Sequence, residues 1–180
     1  MGIQGTYKKK LKNWKNEGYK VLAEDEAIIS MNPTTGKLWA PKGSKPIQYV
    51  SGSHQNVYFF CAVSDDISYC STADWINEDT FIKFLKNLLK IYKKVVVIAD
   101  RATYHAKSKK VKMFVKEHKD NLIVWLLPKR LPELNPMEQG WRSARKNITY
   151  KLFKSKRKLG YAVKRHIQRE FRMNLAKFWS

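Results

Sequence analysis

Val95-Val96-Val97-Ile98-Ala99-Asp100 is an uninterrupted apolar run that ends in a carboxylate. A strand with apolar residues at every position is typical of a parallel sheet, in which helices cover both faces. The run Leu122–Leu127 has the same character, and a helical stretch with Val111, Phe114 and Val115 on one face separates the two runs. This order predicts two neighbouring parallel strands joined by a helical connection.

Upstream of this region the chain predicts antiparallel strands. The apolar and polar residues of Lys20–Ser30 alternate, and a turn at residues 32–36 leads to a second strand through Leu38–Ala40. Two more strands are expected at Asn56–Ser64 and Ser68–Ala73, with short connections between neighbours. A meander followed by strand–helix–strand favours the α/β class, with a ribonuclease-H-like mixed five-stranded sheet flanked by helices.

Helical patterns follow the meander and fill the end of the chain. Asn77 is a good N-cap for a helix whose inward face holds Phe81, Phe84, Leu85 and Leu88. Beyond Asn135 we expect helix to the end of the chain, with two apolar stripes. The first stripe is Met137, Trp141, Ala144, Ile148 and Leu152, and the second is Leu159, Val163, Ile167, Phe171 and Leu175.

The net charge of +21 is distributed unevenly along the chain. Residues 139–180 hold 13 Lys or Arg against Glu170 alone, and residues 1–19 hold five Lys against Glu17. A solvated surface does not need this asymmetry, whereas a polyanion gains counterion-release free energy from a basic patch. The distribution favours a nucleic-acid partner over an anionic membrane surface.

Cysteine usage and hydropathy indicate a cytoplasmic protein. Cys61 and Cys70 are nine positions apart, which matches no zinc spacing, so we expect two reduced thiols. No stretch resembles a signal peptide, and no apolar run approaches the roughly 18 residues that span a bilayer. We therefore expect no membrane partner and a location with the DNA of the nucleoid.

Three acids from distant segments are candidate metal ligands: Asp25 in the first strand, Asp100 at the end of the apolar strand, and Glu138 at a helix start. At about 4 Å each like-charged pair repels by roughly 4 kcal/mol at an effective dielectric near 20, so the cluster needs protons or cations. Carboxylates favour hard ions such as Mg²⁺, and two such ions support in-line displacement at phosphorus. The pattern indicates a centre that cuts and joins phosphodiesters.

Each of these residues also has a structural interpretation. Glu138 follows Asn135 and Pro136 at the spacing of a capping box, and Asp100 could serve a strand-end turn. Asp25 is flanked by Glu24 and Glu26, so spacing alone does not choose among the three acids. His105 fits either a helix start or a phosphate contact, and Trp141 fits either the core or a base-stacking platform.

Together these segments resemble the DDE transposases of prokaryotic insertion sequences related to the Tc/mariner group. Residues 24–27 resemble the first-strand Asp-Glu motif, and Trp39–Gly43 resembles the Trp-x-Pro-x-Gly hairpin that follows it. Asp100–His105 matches the Asp-Asn-Ala-x-x-His motif at both Asp and His. Leu126–Pro128 and Leu134–Trp141 resemble the third motif, and the 37 residues between Asp100 and Glu138 are close to the family's spacing.

The resemblance implies that Asp25, Asp100 and Glu138 bind two Mg²⁺ ions, for which Mn²⁺ is a plausible substitute. It implies strand cleavage at transposon ends and strand transfer to target DNA by the freed 3′-hydroxyl. The implied organisation is a basic N-terminal lead-in at 1–19, a ribonuclease-H-like catalytic domain at 20–155, and a basic C-terminal helix packed on it at 156–180. The implied partners are DNA, a second copy of the chain in a homodimer, and a separate N-terminal helix-turn-helix polypeptide, because the first acid already stands at residue 25.

Seven further residues are candidate DNA contacts by their position in these motifs: Arg101, His105, Lys129, Arg130, Arg142, Arg145 and Lys146. Arg101 replaces the usual Asn of the second motif, and Lys129-Arg130-Leu131 replaces Pro-Tyr-Ser of the third. Two other functions fit the same residues. One is a catalytically silent DNA-binding remnant of a transposase, and the other is a ribonuclease-H-like structure-specific nuclease.

Overall fold

Five strands form one mixed sheet in the computed structural model, which describes residues 3–32, 39–47, 49–129 and 134–179. The strands are β1 (Lys20–Ser30), β2 (Asn56–Val63), β3 (Ser68–Ala73), β4 (Val95–Ala99) and β5 (Leu122–Leu126). Their order is β3-β2-β1-β4-β5. β2 pairs antiparallel with β1 and β3, whereas β4 pairs parallel with β1 and β5. This arrangement agrees with the predicted fold class.

Helices cover both faces of the sheet, which explains why β4 is apolar at every position. They are α1 (Ile3–Asn16), α2 (Glu78–Tyr92), α3 (Thr103–Ala106), α4 (Lys109–Glu117), α5 (Met137–Ile148), α6 (Lys156–Arg165) and α7 (Leu175–Phe178). Alternate side chains of β4 enter separate cores: Val95 and Val97 join the core under α2 and α4, and Val96 and Ile98 join the core under α1, α5 and α6. Every residue of β4 is therefore buried.

The start of α2 follows the predicted capping pattern. The side chain of Asn77 accepts a hydrogen bond from the Thr80 backbone N–H at 2.9 Å, and the Thr80 hydroxyl accepts one from the Asn77 N–H at 3.0 Å. These bonds satisfy two amide groups that a helix start otherwise leaves unpaired. The predicted inward face is confirmed, because Phe81, Phe84, Leu85 and Leu88 are all buried.

Helix α1 lies within the segment predicted as a basic lead-in. Leu11 and Trp14 on this helix are buried in the core that α5 and α6 also cover. The Trp14 ring lies 5.5 Å from the Trp125 ring of β5, and the Lys10 ammonium lies 3.9 Å from the Trp125 ring centre. Within the described residues, the helices are too short or too polar to cross a membrane.

The prediction of a strand at Leu38–Ala40 is wrong at its two described residues. Trp39 and Ala40 have no strand partner, and both side chains are exposed. Leu38 and most of the predicted turn at 32–36 lie outside the described residues. The Trp, Pro and Gly of this segment gave a hairpin signal, but Trp39 lacks the neighbours that would pack a strand.

The two cysteines are joined, so the prediction of two reduced thiols is wrong. Cys61 on β2 and Cys70 on β3 are direct partners in the antiparallel register, with 4.2 Å between their Cα atoms, and they form a disulfide. Neighbouring antiparallel strands place such residues side by side whatever their separation along the chain. Zinc spacing and cellular compartment, on which the prediction was based, carry no information about this strand pairing.

The C-terminal region is helical only in parts, whereas helix was predicted to the end of the chain. α5 ends at Ile148, Tyr150 takes a positive φ of 63°, and Ser155 caps α6 by accepting a hydrogen bond from the Lys158 N–H. A π-helical turn, His166–Glu170, then precedes four non-helical residues. The second apolar stripe is buried in full, whereas Leu152 of the first stripe lies in the break and is 52% exposed.

The break between α5 and α6 predicts that replacement of leucine by alanine has a large effect on stability at Leu159 and little effect at Leu152. Leu159→Ala removes a side chain that is 1% exposed, and we expect it to lower the free energy of unfolding by about 2–5 kcal/mol. Leu152→Ala is the matched control, and a change within about 0.5 kcal/mol is expected there. Urea unfolding of both variants measures the difference. Equal destabilisation at the two positions would contradict the assignment of the break.

Candidate metal centre

Parallel pairing of β1 with β4 brings Asp25 and Asp100 to the same level of the sheet. Ala23 is the partner of Ile98, so two steps further the register places Asp25 beside Asp100. β4 ends at Ala99, and Asp100 therefore stands just beyond the carboxyl end of the strand with a half-exposed side chain. Ligand-binding groups in α/β sheets lie at this edge.

Two hydrogen bonds dock the start of α5 against β1. The Asn135 side-chain amide donates to the Glu24 backbone carbonyl at 2.9 Å, and the Trp141 indole N–H donates to the Asp25 carboxylate at 3.1 Å. Trp141 itself is buried against Phe59, so its interpretation as a core residue is correct. Its bond to Asp25 was not foreseen from the sequence. The docking holds the first turn of α5 over the centre of the sheet.

Glu138 lies in that first turn and points to solvent rather than to a cap. The Asn135 side-chain oxygen accepts from the Met137 N–H at 3.1 Å, and the Glu138 carboxylate makes no hydrogen bond with any described residue. The predicted capping box with Asn135 is therefore not formed. Glu138 instead lines a shallow cavity of about 420 Å³ together with Asp25, Glu26, Trp141, Arg142 and Arg145.

The structure places the three candidate ligands in two adjoining pairs, although their carboxylate oxygens do not all lie within 4.8 Å of one another. Asp25 lies beside Asp100 through strand register, and Asp25 shares a cavity with Glu138 through the docking of α5. Asp100 stands at the adjacent strand end rather than in the wall of that cavity. Asp25 is the common member of both pairs.

Strand alternation separates Asp25 from its two acidic neighbours. Asp25 faces the core under α5, whereas Glu24 and Glu26 face the core under α2. Glu24 and Glu26 lie there with His105, and their ligand atoms are within 4.8 Å of one another. We call these three residues the inner acidic cluster. The alternation was readable from the sequence, but the approach of His105 was not.

His105 links the inner acidic cluster to Asp100. Its Nδ1 lies 3.1 Å from an Asp100 carboxylate oxygen, and its Nε2 lies 2.9 Å from a Glu26 oxygen. Burial lowers the pKa of His105, but the hydrogen bonds to Asp100 and Glu26 outweigh it and raise the pKa to about 9. The protonated ring donates to both carboxylates.

The prediction that His105 contacts DNA is corrected by this geometry. Its side chain is completely buried, and both ring nitrogens already face carboxylates. No ring N–H remains for a phosphate. The residue positions the Asp100 side chain instead.

Glu24 is the most deeply buried of the described acids. Its side chain is fully buried, and neither carboxylate oxygen receives a hydrogen bond from a described donor. Burial raises its pKa well above the usual value, and the charges of Glu26, Asp25 and Asp100 add to that effect. Glu24 is therefore held protonated beside Glu26, and the strand avoids an unpaired buried charge.

The pKa values of Asp25 and Asp100 are shifted in opposite directions. Burial raises the pKa of Asp25 to about 7, with further contributions from the charges of Glu26 and Asp100. The hydrogen bond from His105 lowers the pKa of Asp100, and the Ala102 N–H donates to the same carboxylate at 2.8 Å. Asp100 is therefore ionised at neutral pH, whereas Asp25 needs a positive charge nearby to lose its proton fully.

The other candidate DNA contacts lie mostly on the surface around these acids. Arg142 and Arg145 stand in the cavity wall beside Glu138, and Lys129 and Lys146 are exposed. Arg101 is exposed as well, but its Nε donates to the Leu127 carbonyl at 2.9 Å, which holds the side chain across the end of β5. Arg130 lies outside the described residues.

These pKa values predict that the metal-free protein loses stability as pH rises. Asp25 keeps its proton in the folded state up to about pH 7, whereas the unfolded chain releases it near 3.8. His105 is shifted upward in the same sense, from 6.5 to about 9. Where the folded state binds more protons, the free energy of unfolding falls with increasing pH.

Urea unfolding in EDTA at about pH 5 and about pH 8 measures this slope. Asp25→Asn is the control, because an amide cannot titrate, and the variant should lose the contribution of Asp25 to the slope while those of Glu24 and His105 remain. An identical pH dependence in both proteins would rule out the raised pKa of Asp25.

Comparison with known proteins shows the fold and the family of the chain. No curated protein sequence matches the chain. Among solved structures, a Mos1 transposase paired-end complex with the left transposon end aligns at a TM-score of 0.68 and 15% identity, over 98% of this chain and 55% of the Mos1 chain. A Mos1 mariner paired-end complex with Mn aligns at 0.65 and 16% identity, over 98% and 59%. A simian T-cell lymphotropic virus intasome aligns at 0.56 and 9% identity, over 81% and 47%.

The chain thus spans little more than half the length of the Mos1 chains, and at these identities the likeness establishes the fold, which is ribonuclease-H-like. The model of one sequence family, described as DDE superfamily endonuclease, matches residues 20–160. That match includes both strands and the helix that carry Asp25, Asp100 and Glu138. The chain belongs to the DDE superfamily endonuclease family.

Proposed function

We propose that this chain is the catalytic domain of a DNA transposase that cleaves strands at transposon ends and joins them to target DNA. Asp25, Asp100 and Glu138 are its metal ligands in this proposal. The observation that carries it is the position of Asp25, which lies beside Asp100 in the strand register and shares a cavity with Glu138. Family membership and the Mos1 fold supply independent support.

The donor set fits a hard divalent cation. All three groups are carboxylates, Glu138 is exposed, and Asp100 is half-exposed, so an ion has access from solvent. Burial, with the charges of Glu26 and Asp100 adding to it, raises the pKa of Asp25, and a cation bound there would favour its ionised form. Two Mg²⁺ or Mn²⁺ ions, when bound, would activate the attacking oxygen and stabilise the leaving one.

The chain's own residues have separable roles around such a centre. His105 holds the Asp100 carboxylate in place and keeps it ionised through a hydrogen bond of 3.1 Å. Trp141 orients the Asp25 carboxylate from the opposite side of β1. Arg142 and Arg145, one and two turns beyond Glu138, place positive charge where a DNA phosphate would approach the acids.

The wider proposal places this domain in a prokaryotic insertion sequence. The Mos1 structures are paired-end complexes with transposon DNA, and a homodimer is the corresponding assembly proposed here. Recognition of the ends is assigned to a separate N-terminal helix-turn-helix polypeptide. The excess of Lys and Arg over acidic residues in 139–180 suits a protein that binds DNA phosphates without recognising the base sequence.

Glu138→Gln tests the ligand assignment. Glutamine keeps the size of the side chain, but it is a poor ligand for Mg²⁺, and losing one ligand removes several kcal/mol of transition-state stabilisation. We expect the wild-type chain, supplied with its helix-turn-helix partner, to nick a supercoiled plasmid carrying the element's ends only with Mg²⁺ or Mn²⁺. The variant should not nick detectably and should retain its affinity for DNA.

Glu117→Gln at the end of α4 is the matched control, because it makes the same chemical change far from the cavity. It should nick at the wild-type rate. Full activity of Glu138→Gln would overturn the assignment. Preferential cutting of branched DNA over element ends would favour a structure-specific nuclease instead.

A further inference from the structure

A second cleft lies at the free edge of β3, on the side of the sheet away from β4. It has a volume of about 450 Å³, and its walls come from α2, α6 and the ends of β2 and β3. This volume is within the range of roughly 300–1,000 Å³ that binding pockets for small ligands occupy. The cleft contains none of the acids assigned to the candidate metal centre.

Positive charge is concentrated in this edge cleft. One acid, Asp74, stands in the wall against four bases. The bases are Lys83, Lys156, Arg157 and Lys164. None of them forms an ion pair with a described acid, whereas other lysines do pair, such as Lys110 with Glu78 and Asp79. Four uncompensated cations around one concave surface attract an anionic ligand.

Aromatic rings accompany the cations. Tyr58 lies in the wall between β3 and α2, and its ring centre is 5.3 Å from that of Trp75, which is 65% exposed. Tyr161 on α6 is 61% exposed and borders the same cleft. Exposed rings next to cations are the combination that binds unpaired nucleic-acid bases and their phosphates.

A close helix contact holds the shape of this cleft. Gly160 of α6 lies against β2 and β3, and a Cβ at this position would stand 3.2 Å from the Thr72 Cγ2 and 3.8 Å from the Val57 Cγ1. The absence of a side chain lets α6 approach the sheet closely. Lys156, Arg157 and Tyr161 are therefore presented from a fixed helix rather than from a loop.

We propose that the edge cleft binds an unpaired DNA strand, with phosphates on the four cations and a base stacked on Tyr58 or Tyr161. The inference rests on the proposed function only for the choice of DNA as the anion. Tyr58 pairs with Ile28, three residues along β1 from Asp25, so the cleft begins about 10 Å along the sheet from the candidate metal centre. A strand freed by cleavage there is within reach of it.

Fluorescence anisotropy with a labelled oligothymidylate of about 15 nucleotides, and with a duplex of equal length, tests the proposal. Lys156→Gln/Arg157→Gln should weaken single-strand binding by roughly tenfold or more. Lys154→Gln/Lys158→Gln is the matched control, since it removes two exposed charges from residues that do not line the cleft. It should weaken binding by less than about twofold.

Tyr161→Leu separates stacking from charge. We expect it to weaken single-strand binding by about 5- to 150-fold, the range for loss of one base–aromatic stack, with duplex binding unchanged. Tyr161 is exposed, so the fold should tolerate leucine, and thermal unfolding checks this. Equal losses in the two double variants, or no loss in any variant, would overturn the proposal.

Competitors identify the ligand. Displacement of the oligonucleotide by thymidine monophosphate at equal concentration would indicate a free-nucleotide site, and displacement by an acidic peptide would indicate a protein partner; either result overturns the strand assignment. Glu138→Gln should bind the oligonucleotide normally. If the wild-type chain binds the oligonucleotide as expected but does not nick, the proposed function fails and the edge-cleft proposal stands. If it nicks but does not bind the oligonucleotide, the edge-cleft proposal alone fails.

Discussion

Negative charge is concentrated at one level of the sheet, where Glu24, Asp25 and Glu26 stand beside Asp100, and much of the surrounding packing follows from this constraint. Two carboxylates about 4 Å apart repel by roughly 4 kcal/mol at an effective dielectric near 20. Successive side chains of β1 point to opposite faces of the sheet, which divides the negative charge between the two faces. On the face under α2, burial and the neighbouring negative charges keep Glu24 protonated, and protonated His105 compensates Glu26 and Asp100.

The negative charges on the two faces of β1 are compensated in different ways. This difference supports Asp25, rather than the inner acidic cluster, as the proposed metal ligand. The inner acidic cluster contains its own cation in His105, and its side chains are largely buried. On the face under α5, Trp141 donates a hydrogen bond to Asp25, which lines a cavity with the exposed Glu138. Arg142 and Arg145 line the same cavity, but neither forms an ion pair with a described acid. An exogenous divalent cation is the natural complement, as the proposed function requires.

Much of the fold could be predicted because hydrophobic pattern and local capping agree. The apolar run at β4, the alternation of β1 and the Asn77 cap each depend on near neighbours in sequence. The errors have a common cause, since each depends on contacts between distant residues. The Cys61–Cys70 disulfide comes from strand register, and the break after α5 places Leu152 outside the core. The burial of His105 depends likewise on the approach of α3 to β1.

In the candidate site, too, local sequence features could be predicted and contacts between distant residues could not. Asp25, Asp100 and Glu138 were selected by residue type, strand position and motif spacing, but Asn135 and Trp141, which dock α5 on β1, were not expected to do so. The most direct measurement is anomalous scattering from a crystal of this protein soaked in Mn²⁺. We predict anomalous density at the carboxylates of Asp25 and Asp100. Density between Glu24, Glu26 and His105, with none at Asp25, would contradict it.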